Sequence, residues 1–276
     1  MAVAERTRNT STIVGAVLIG LVVLAAVVSF FWTPHDPEKV NAAVRLIGPT
    51  GDYVFGTDKF GRDVASQIMV GARTTLYVGV VAVGIAAVIG TPLGILAGMS
   101  RRWVGEFVMR VNDLVLAFPA LLLAIMFGAV YGASTLTAMV AIGIATIPSF
   151  ARIARSGTLQ VMSTEYVLAA RSAGRSRWNI AVRHVAPNIS GMLIVQASVS
   201  FAIAVLAEAA LSFLGFGTRP PTPSWGRMLQ ESQELLTVQP RLALVPGIAI
   251  AVAVLGFNLL GDGLRDRFDP RLAGTR

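Results

Sequence analysis

Glu208 is the only charged residue between Arg183 and Arg219. An acid at mid-bilayer costs about 2.5–3.5 kcal/mol on insertion scales, so it must face protein or water. Three roles are open to such a carboxyl: relaying a proton, lining a polar lumen, or a structural one. A proton-coupled carrier ordinarily shows several such groups, and one acid favours the structural or lumen-lining roles. The other residues able to do chemistry are sparse. Cysteine is absent, which excludes disulfides, thiolate nucleophiles and cysteine metal sites. The two histidines, His35 and His184, lie far apart, so no metal cluster is expected. No Gly-x-x-x-x-Gly-Lys-[Ser/Thr] run occurs, and neither Lys39 nor Lys59 follows a glycine, so the chain cannot cradle ATP in a P-loop. Neither a Ser/His/Asp nor a His-Glu-x-x-His arrangement is present.

A mechanical site is easier to find than a chemical one. Residues 163–187 form a polar, basic segment between two intensely apolar ones. Ser163 is placed to cap a short helix that carries Glu165 at the positive end of its dipole. Ala169, Ala170 and Ala173 are small enough to let another surface approach. Gly174 ends the helix where positive φ is cheap. Ser176 is placed to cap a second short helix, and Pro187 bars continuation in the same register. The expected shape is a rigid knuckle on one face of a membrane.

Composition supplies that membrane. Hydrophobic residues are 54% of the chain and charged ones 14%, against roughly 25% charged in soluble domains. A spanning helix needs about 20 apolar residues, and uncharged stretches at 13–32 and 76–98 meet that length. Residues 114–151 lack formal charge and are long enough for two crossings, with a turn at Gly132-Ala133-Ser134. Further spans fall near 191–214 and 242–261. The first stretch follows Arg6 and Arg8 but lacks a small-residue cleavage site, and reads as a retained anchor. Six spans put both termini on one side. With 1–12, 99–112, 152–190 and 262–276 on that side, it holds 15 of the 23 basic residues. Such an excess marks the cytoplasm. Residues 33–75 and 215–241 are then external. The net charge of +8 calls for no nucleic-acid partner, because both ends of the helix–turn–helix-like knuckle are tethered to spans.

Three other polar segments leave alternatives open. In 56–75, Val64, Ile68 and Met69 share one helical face opposite Asp63, Gln67 and Arg73. That pattern suits an amphipathic surface helix or an elbow turning the chain into the bilayer. Residues 217–229, with Pro220, Pro221, Pro223 and Trp225, read as a stiff external loop, either a docking surface or a connection. Residues 261–271 alternate in charge, as a solvated helix end does.

The knuckle resembles the cytoplasmic signature loop of bacterial ABC-importer permeases, Glu-Ala-Ala, three residues, Gly, nine residues, Ile-x-Leu-Pro. Ala169-Ala170, Gly174 and Pro187 keep that spacing, whereas Leu168, His184 and Ala186 occupy the Glu, Ile and Leu places. These departures resemble the peptide-importer branch, which reads Tyr-Val-x-Ala-Ala-Arg-x-x-Gly and then His-x-x-Pro-Asn. Here the pattern is carried by Tyr166 through Gly174 and by His184 through Asn188. Residues 56–64 with Gly71-Ala72-Arg73, 207–215 with 220–229, and 258–271 also resemble the dipeptide/oligopeptide (and nickel) permease family. The last two look most like its second permease subunit. Gln67 and Thr75 depart from the usual Arg and Ser.

The resemblance implies an all-α, polytopic type I ABC-importer permease with six transmembrane helices. An anchor and external elbow would occupy 1–71, the permease domain 72–262 with its cytoplasmic loop at 152–190, and a cytoplasmic tail 263–276. It implies one subunit of an importer for short peptides in the bacterial inner or plasma membrane, with no enzyme activity and no cofactor of its own. ATP and Mg would be held by two cytoplasmic ATPase subunits, separate or fused. A second homologous permease subunit would complete a heterodimer, and an external binding lipoprotein or periplasmic protein would deliver substrate. Glu165, Tyr166, Ala169, Ala170, Arg171, Gly174 and Pro187 would form the coupling contact to an ATPase. Phe118, Phe201 and Glu208 are candidate residues of the translocation path. A secondary transporter driven by an ion gradient is the competing class, and a membrane enzyme a remote third.

Overall fold

The computed structural model describes residues 2–268, with side chains over 10–267. Ten α-helices run along these residues. They are α1 (Ala2–Ser29), α2 (Val64–Met99), α3 (Arg102–Leu116), α4 (Ala120–Tyr131) and α5 (Thr135–Met162), followed by α6 (Glu165–Ser172), α7 (Arg177–Ile180), α8 (Ala186–Phe213), α9 (Trp225–Ser232) and α10 (Arg241–Phe268). The only extended pairing among the described residues is an isolated bridge between Thr57 and Asp63.

Five helical segments are long and apolar enough to span a bilayer, and α3 with α4 makes a sixth if the bent pair counts as one. The expected crossing within 114–151 is therefore broken. Pro119 disfavours helix at the residue before it, and the axes of α3 and α4 diverge by 76°. The expected turn at 132–134 is present. Gly132 takes φ +85°, and Ser134 caps α5 through a reciprocal pair with Thr137.

Helices α2 and α5 form the spine. Gly90, Gly94 and Gly98 recur every fourth residue on α2 and face α5. A Cβ at Gly90 would sit 2.6 Å from the Ile147 carbonyl, and one at Gly98 would sit 2.7 Å from the Thr158 Cβ. Absent side chains thus let two backbones touch, as small-residue contacts do in membranes. On the other flank α1 packs on α10, with Gly256 against Leu18 and Ile19.

Residues 64–75 form neither a surface helix nor an elbow. They are the first three turns of α2, which starts at an Asp63 cap accepting from Ser66 N at 3.0 Å. The side read as solvent-facing is covered as fully as the apolar one: Asp63, Gln67 and Val64 are buried, while Arg73, Ile68 and Met69 are half-buried. Polar residues here are consumed by bonding to the segment before them. Residues 217–229 are likewise not all loop, because α9 begins at Trp225. The charged end at 261–268 continues α10, and 269–271 lie outside the described residues.

Candidate coupling site and translocation path

The knuckle is built from its apolar side. Val167, Ile180, Val185 and Ile189 are buried together with Ala154 and Met162 of α5. This cluster fixes α6 and α7 against the ends of α5 and α8. With Val167 turned inward, the rest of α6 turns out: Glu165, Tyr166, Leu168, Ala169 and Arg171 are exposed and Ala170 is half-buried.

The helix ends as expected at Gly174, which takes φ +75°. Gly174 N donates to Arg171 O at 2.9 Å, and Arg175 N donates to Ala170 O at 3.1 Å. This pair of bonds is a Schellman motif, which satisfies carbonyls the helix would otherwise leave free. Nothing lies within 4 Å of a Cβ placed on Gly174, so glycine is required by backbone angle and not by crowding. Ser176 then caps α7, accepting from Asn179 N at 3.2 Å.

Two expectations for the knuckle need correction. Thr164, not Ser163, stands at the start of α6, and it makes no side-chain cap. The Ser163 hydroxyl donates backwards to Gln160 O at 2.8 Å. The second helix is not a separate short one either, although the register does change before Pro187. The chain continues from α7 through a π-helical turn at Ala181–Val185 directly into α8. A wider turn accommodates a proline that lacks N–H and would crowd the carbonyl four residues back. Asn188 Nδ2 donates to His184 O at 2.6 Å, a side-chain bond that braces the same turn. The knuckle is therefore one short helix and one glycine turn on the end of a 37-residue helical segment.

Trp178, 77% exposed at the tip, was not singled out by sequence. It stands with Arg171, Arg175, Arg177 and Arg183, all exposed, beside a single acid, Glu165. The signal was available, since a lone tryptophan in a basic segment outside the lipid has no packing reason to be there. The surface offers flat apolar area ringed by guanidinium groups.

The three path candidates do not converge. Phe118 is exposed at the α3–α4 break and lines an open apolar groove of about 270 Å³ with Leu123, Met126, Phe127, Val130 and Tyr131. The Phe201 ring stacks on Phe257 at 4.0 Å and sits over Gly79, filling the junction of α2, α8 and α10. Glu208 is 1% exposed. Its Oε1 accepts from Ser212 Oγ at 2.6 Å and from Thr218 Oγ1 at 3.4 Å, and Thr218 N donates to Ser212 Oγ at 3.0 Å. Thr135 Oγ1 reaches Thr218 Oγ1 at 3.2 Å. The acid thus ties the loop after α8 to the start of α5.

A second polar assembly lies at the opposite end from the knuckle. The Arg62 guanidinium bonds to Asp58 Oδ2 at 2.6 Å and to Glu231 Oε2, while Arg227 holds the other Glu231 oxygen at 2.7 Å. Gln67 Nε2 adds a bond to Asp58 at 3.1 Å. Arg241 donates to Phe55 O at 2.6 Å, Ile47 O at 2.7 Å and Thr57 O at 3.1 Å. Trp225 Nε1 reaches Ile68 O at 3.0 Å, its ring lying where a Cβ on Gly71 would be. These bonds join the 33–63 segment, α9 and the start of α10 into one outer layer. No group of three or more His, Asp or Glu among the described residues is placed to hold a metal ion.

The family model for a binding-protein-dependent transport system inner membrane component matches residues 90–274. The chain is 41% identical over 265 residues to the dipeptide transport system permease protein DppC of Alkalihalophilus pseudofirmus, covering 96% of this chain and 87% of that one. It is 40% identical over 262 residues to the glutathione transport system permease protein GsiD of Pectobacterium atrosepticum, covering 93% and 87%. Its fold matches a chain of the inward-facing MetNI methionine ABC transporter with a TM-score of 0.62 at 17% identity, over 74% of this chain and 96% of that one. The chain therefore belongs to the binding-protein-dependent transport system inner membrane component family, the permeases of ABC importers.

Proposed function

We propose that this chain forms half of the translocation path of an ATP-driven importer of short peptides. The observation that carries the reading is the knuckle: α6 is anchored by Val167 into α5 and α8 and presents its other faces outward. A short helix clamped to two spans passes a push to both as a rigid body. Two ATPase subunits, holding ATP and Mg, supply that push at Glu165, Tyr166, Ala169, Ala170, Arg171 and Gly174, with Pro187 setting the turn beyond. Their closure rocks the spans between inward-open and outward-open states. A second, homologous permease subunit completes the path, and an external binding protein delivers substrate to the outer layer. Both termini and the knuckle face the cytoplasm, in line with the basic excess on that side.

The peptide assignment rests on the relatives named for dipeptide, glutathione and peptide transport. All three names describe short amide-linked substrates. The test is reconstitution. The isolated chain in liposomes should concentrate nothing under any ion gradient, and the assembled complex should import a labelled dipeptide only with ATP. Gradient-driven uptake by the chain alone would overturn the reading. Competition by di-, tri- and tetrapeptides and glutathione is expected, and competition by nickel or haem alone would reassign the substrate.

A further inference from the structure

The knuckle is exposed without interruption from Arg171 to Trp178. Trp178 closes that run, and Val182, one helical turn later on the same side, is exposed as well. Ile180, on the opposite side, is buried in the cluster that fixes the knuckle. Helix α7 and the turn after it therefore carry an apolar side that no described residue covers. The flanking charges are of one sign. Arg171, Arg175, Arg177 and Arg183 take part in no ion pair among the described residues, and Glu165 is the one acid on the knuckle.

Lipid or protein could cover such a tip, and the packing of the spans decides between them. The uncharged run of α2 ends at Gly98, with Arg101 and Arg102 just beyond, which puts Gly98 at the edge of the hydrocarbon. A Cβ on Gly98 would lie 2.7 Å from the Thr158 Cβ, and one on the adjacent Gly157 would lie 2.7 Å from the Ile189 Cγ2. Ile189 of α8 is therefore at the same level. Trp178 precedes Ile189 by 11 positions within the continuous helical segment Arg177–Phe213, so it stands about 16 Å further out. The headgroup layer is only about 5–8 Å thick on each side. The tip clears the lipid, which leaves protein as its cover.

We propose that Trp178 is the anchor of the ATPase contact, inserted into an apolar pocket of the ATPase subunit whose rim carries carboxylates paired with Arg175 and Arg177. The proposal rests on the reading of the knuckle as the ATPase-facing element and adds to it the side chain that holds the partner. Helix α6 can be pushed but gives little to grip, because Ala169 and Ala170 present one methyl group each. A tryptophan buries roughly 150–250 Å², and tryptophan and arginine are the residue types in which binding energy concentrates. The knuckle thereby divides its work. Helix α6 receives the closing stroke, and Trp178 keeps the ATPase attached while its cleft reopens. The loop pattern shared with peptide-importer permeases covers 166–174 and 184–188 and skips 175–183, which leaves this half of the knuckle available to recognise one particular ATPase.

The test times the release of labelled ATPase from the assembled complex, held in nanodiscs through the permease and washed with ATPase-free buffer. Trp178→Ala should release the ATPase at least about 30-fold faster, as loss of an anchor residue does. Trp178→Phe, which keeps an aromatic ring, should stay within about fivefold of the unmodified rate. Co-purification of both variants with the second permease subunit in unmodified amount shows that the fold is intact. Added salt should speed release from the unmodified complex, and Arg175→Gln/Arg177→Gln should remove most of that dependence. An unmodified permease that retains no ATPase would remove the ATPase reading of the knuckle itself. Retention by the unmodified complex with equally slow release from Trp178→Ala would overturn the anchor alone. Release indifferent to salt would overturn the acidic rim. A fluorophore on Trp178→Cys that brominated phospholipid quenches would place the tip in the bilayer and overturn the proposal as well.

Discussion

The Tyr166 ring lies 5.9 Å from the imidazole of His184, tilted by 48°, so the first turn of α6 touches the π-helical turn that leads into α8. The glycine turn is thereby closed across its mouth by a side-chain contact. Aromatic pairs contribute about 0.5–1.5 kcal/mol beyond their buried area. Tyr166→Phe keeps the ring and should leave peptide uptake near the unmodified level. Tyr166→Ala should lower uptake per ATP hydrolysed severalfold while the complex still assembles. The ratio of uptake to phosphate release in reconstituted complex reads the difference.

Gly174→Val forces a β-branched residue to φ +75°, at a cost of roughly 1–2 kcal/mol or more, and should tilt α6. Gly174→Asn should be tolerated, because asparagine visits this region and the space is empty. Ala170→Arg should fill the contact with the ATPase without touching any span. The valine and arginine variants should reach the membrane and transport poorly, scored by subunit co-purification, ATPase rate and uptake. Normal import by both would remove the coupling role of α6.

Arg62→Met leaves the Asp58 and Glu231 carboxylates facing each other with little solvent. Breaking a buried pair in this way costs about 3–5 kcal/mol. Lys59→Ala, which removes an exposed 3.6 Å pair with Glu234, should cost at most about 1 kcal/mol. Thermal unfolding of the detergent-solubilised complex compares them, and equal shifts would deny Arg62 its central place in the outer layer.

Glu208 accepts hydroxyl hydrogen bonds, which an amide oxygen can also accept. Glu208→Gln should therefore retain the tie from α8 to Thr218, while Glu208→Leu should free the loop at 215–224. Thr218→Val should resemble the leucine variant. A cysteine at Thr222 should react faster with a thiol reagent in the leucine background, by about fivefold for one hydrogen bond lost. A glutamine variant as defective as leucine would mean that the carboxylate charge itself is needed.

Orientation is checked with the same chemistry, aided by the absence of native cysteine. Cysteines at Asp52 and Thr222, both exposed, should react with an impermeant reagent in intact cells. One at Ser176, equally exposed, should react only after the membrane is opened. Reaction at Ser176 in intact cells would invert the topology.

Apolar length and turn chemistry made most of the spans readable, and Gly132, Ser134, Gly174 and Ser176 all act as their residue types suggest. Signals that depend on distant partners were not readable. Gln67 looks like a surface residue until Asp58 is folded back onto it, nine positions away. Pro187 signals a change of register, and only the fold shows that a π-helical turn makes it without ending the helix. The long-range role of Arg241 has no sequence signature, because besides the nearby Gln239 side chain its acceptors are the distant backbone carbonyls of Ile47, Phe55 and Thr57.

Those three carbonyls precede Arg241 by 184 to 194 positions, which makes the outer layer a late event in the life of the chain. At about 5–20 residues synthesised per second, the 33–63 segment waits roughly 10–40 s for the guanidinium that secures it. Glu231 and Trp225 arrive only slightly earlier. Throughout that interval the first two spans can already reside in the bilayer, with an unsecured segment between them. Completion of the layer therefore reports that synthesis has reached α10, and a ribosome that stops before α10 leaves a nascent product marked by an open, protease-sensitive outer face.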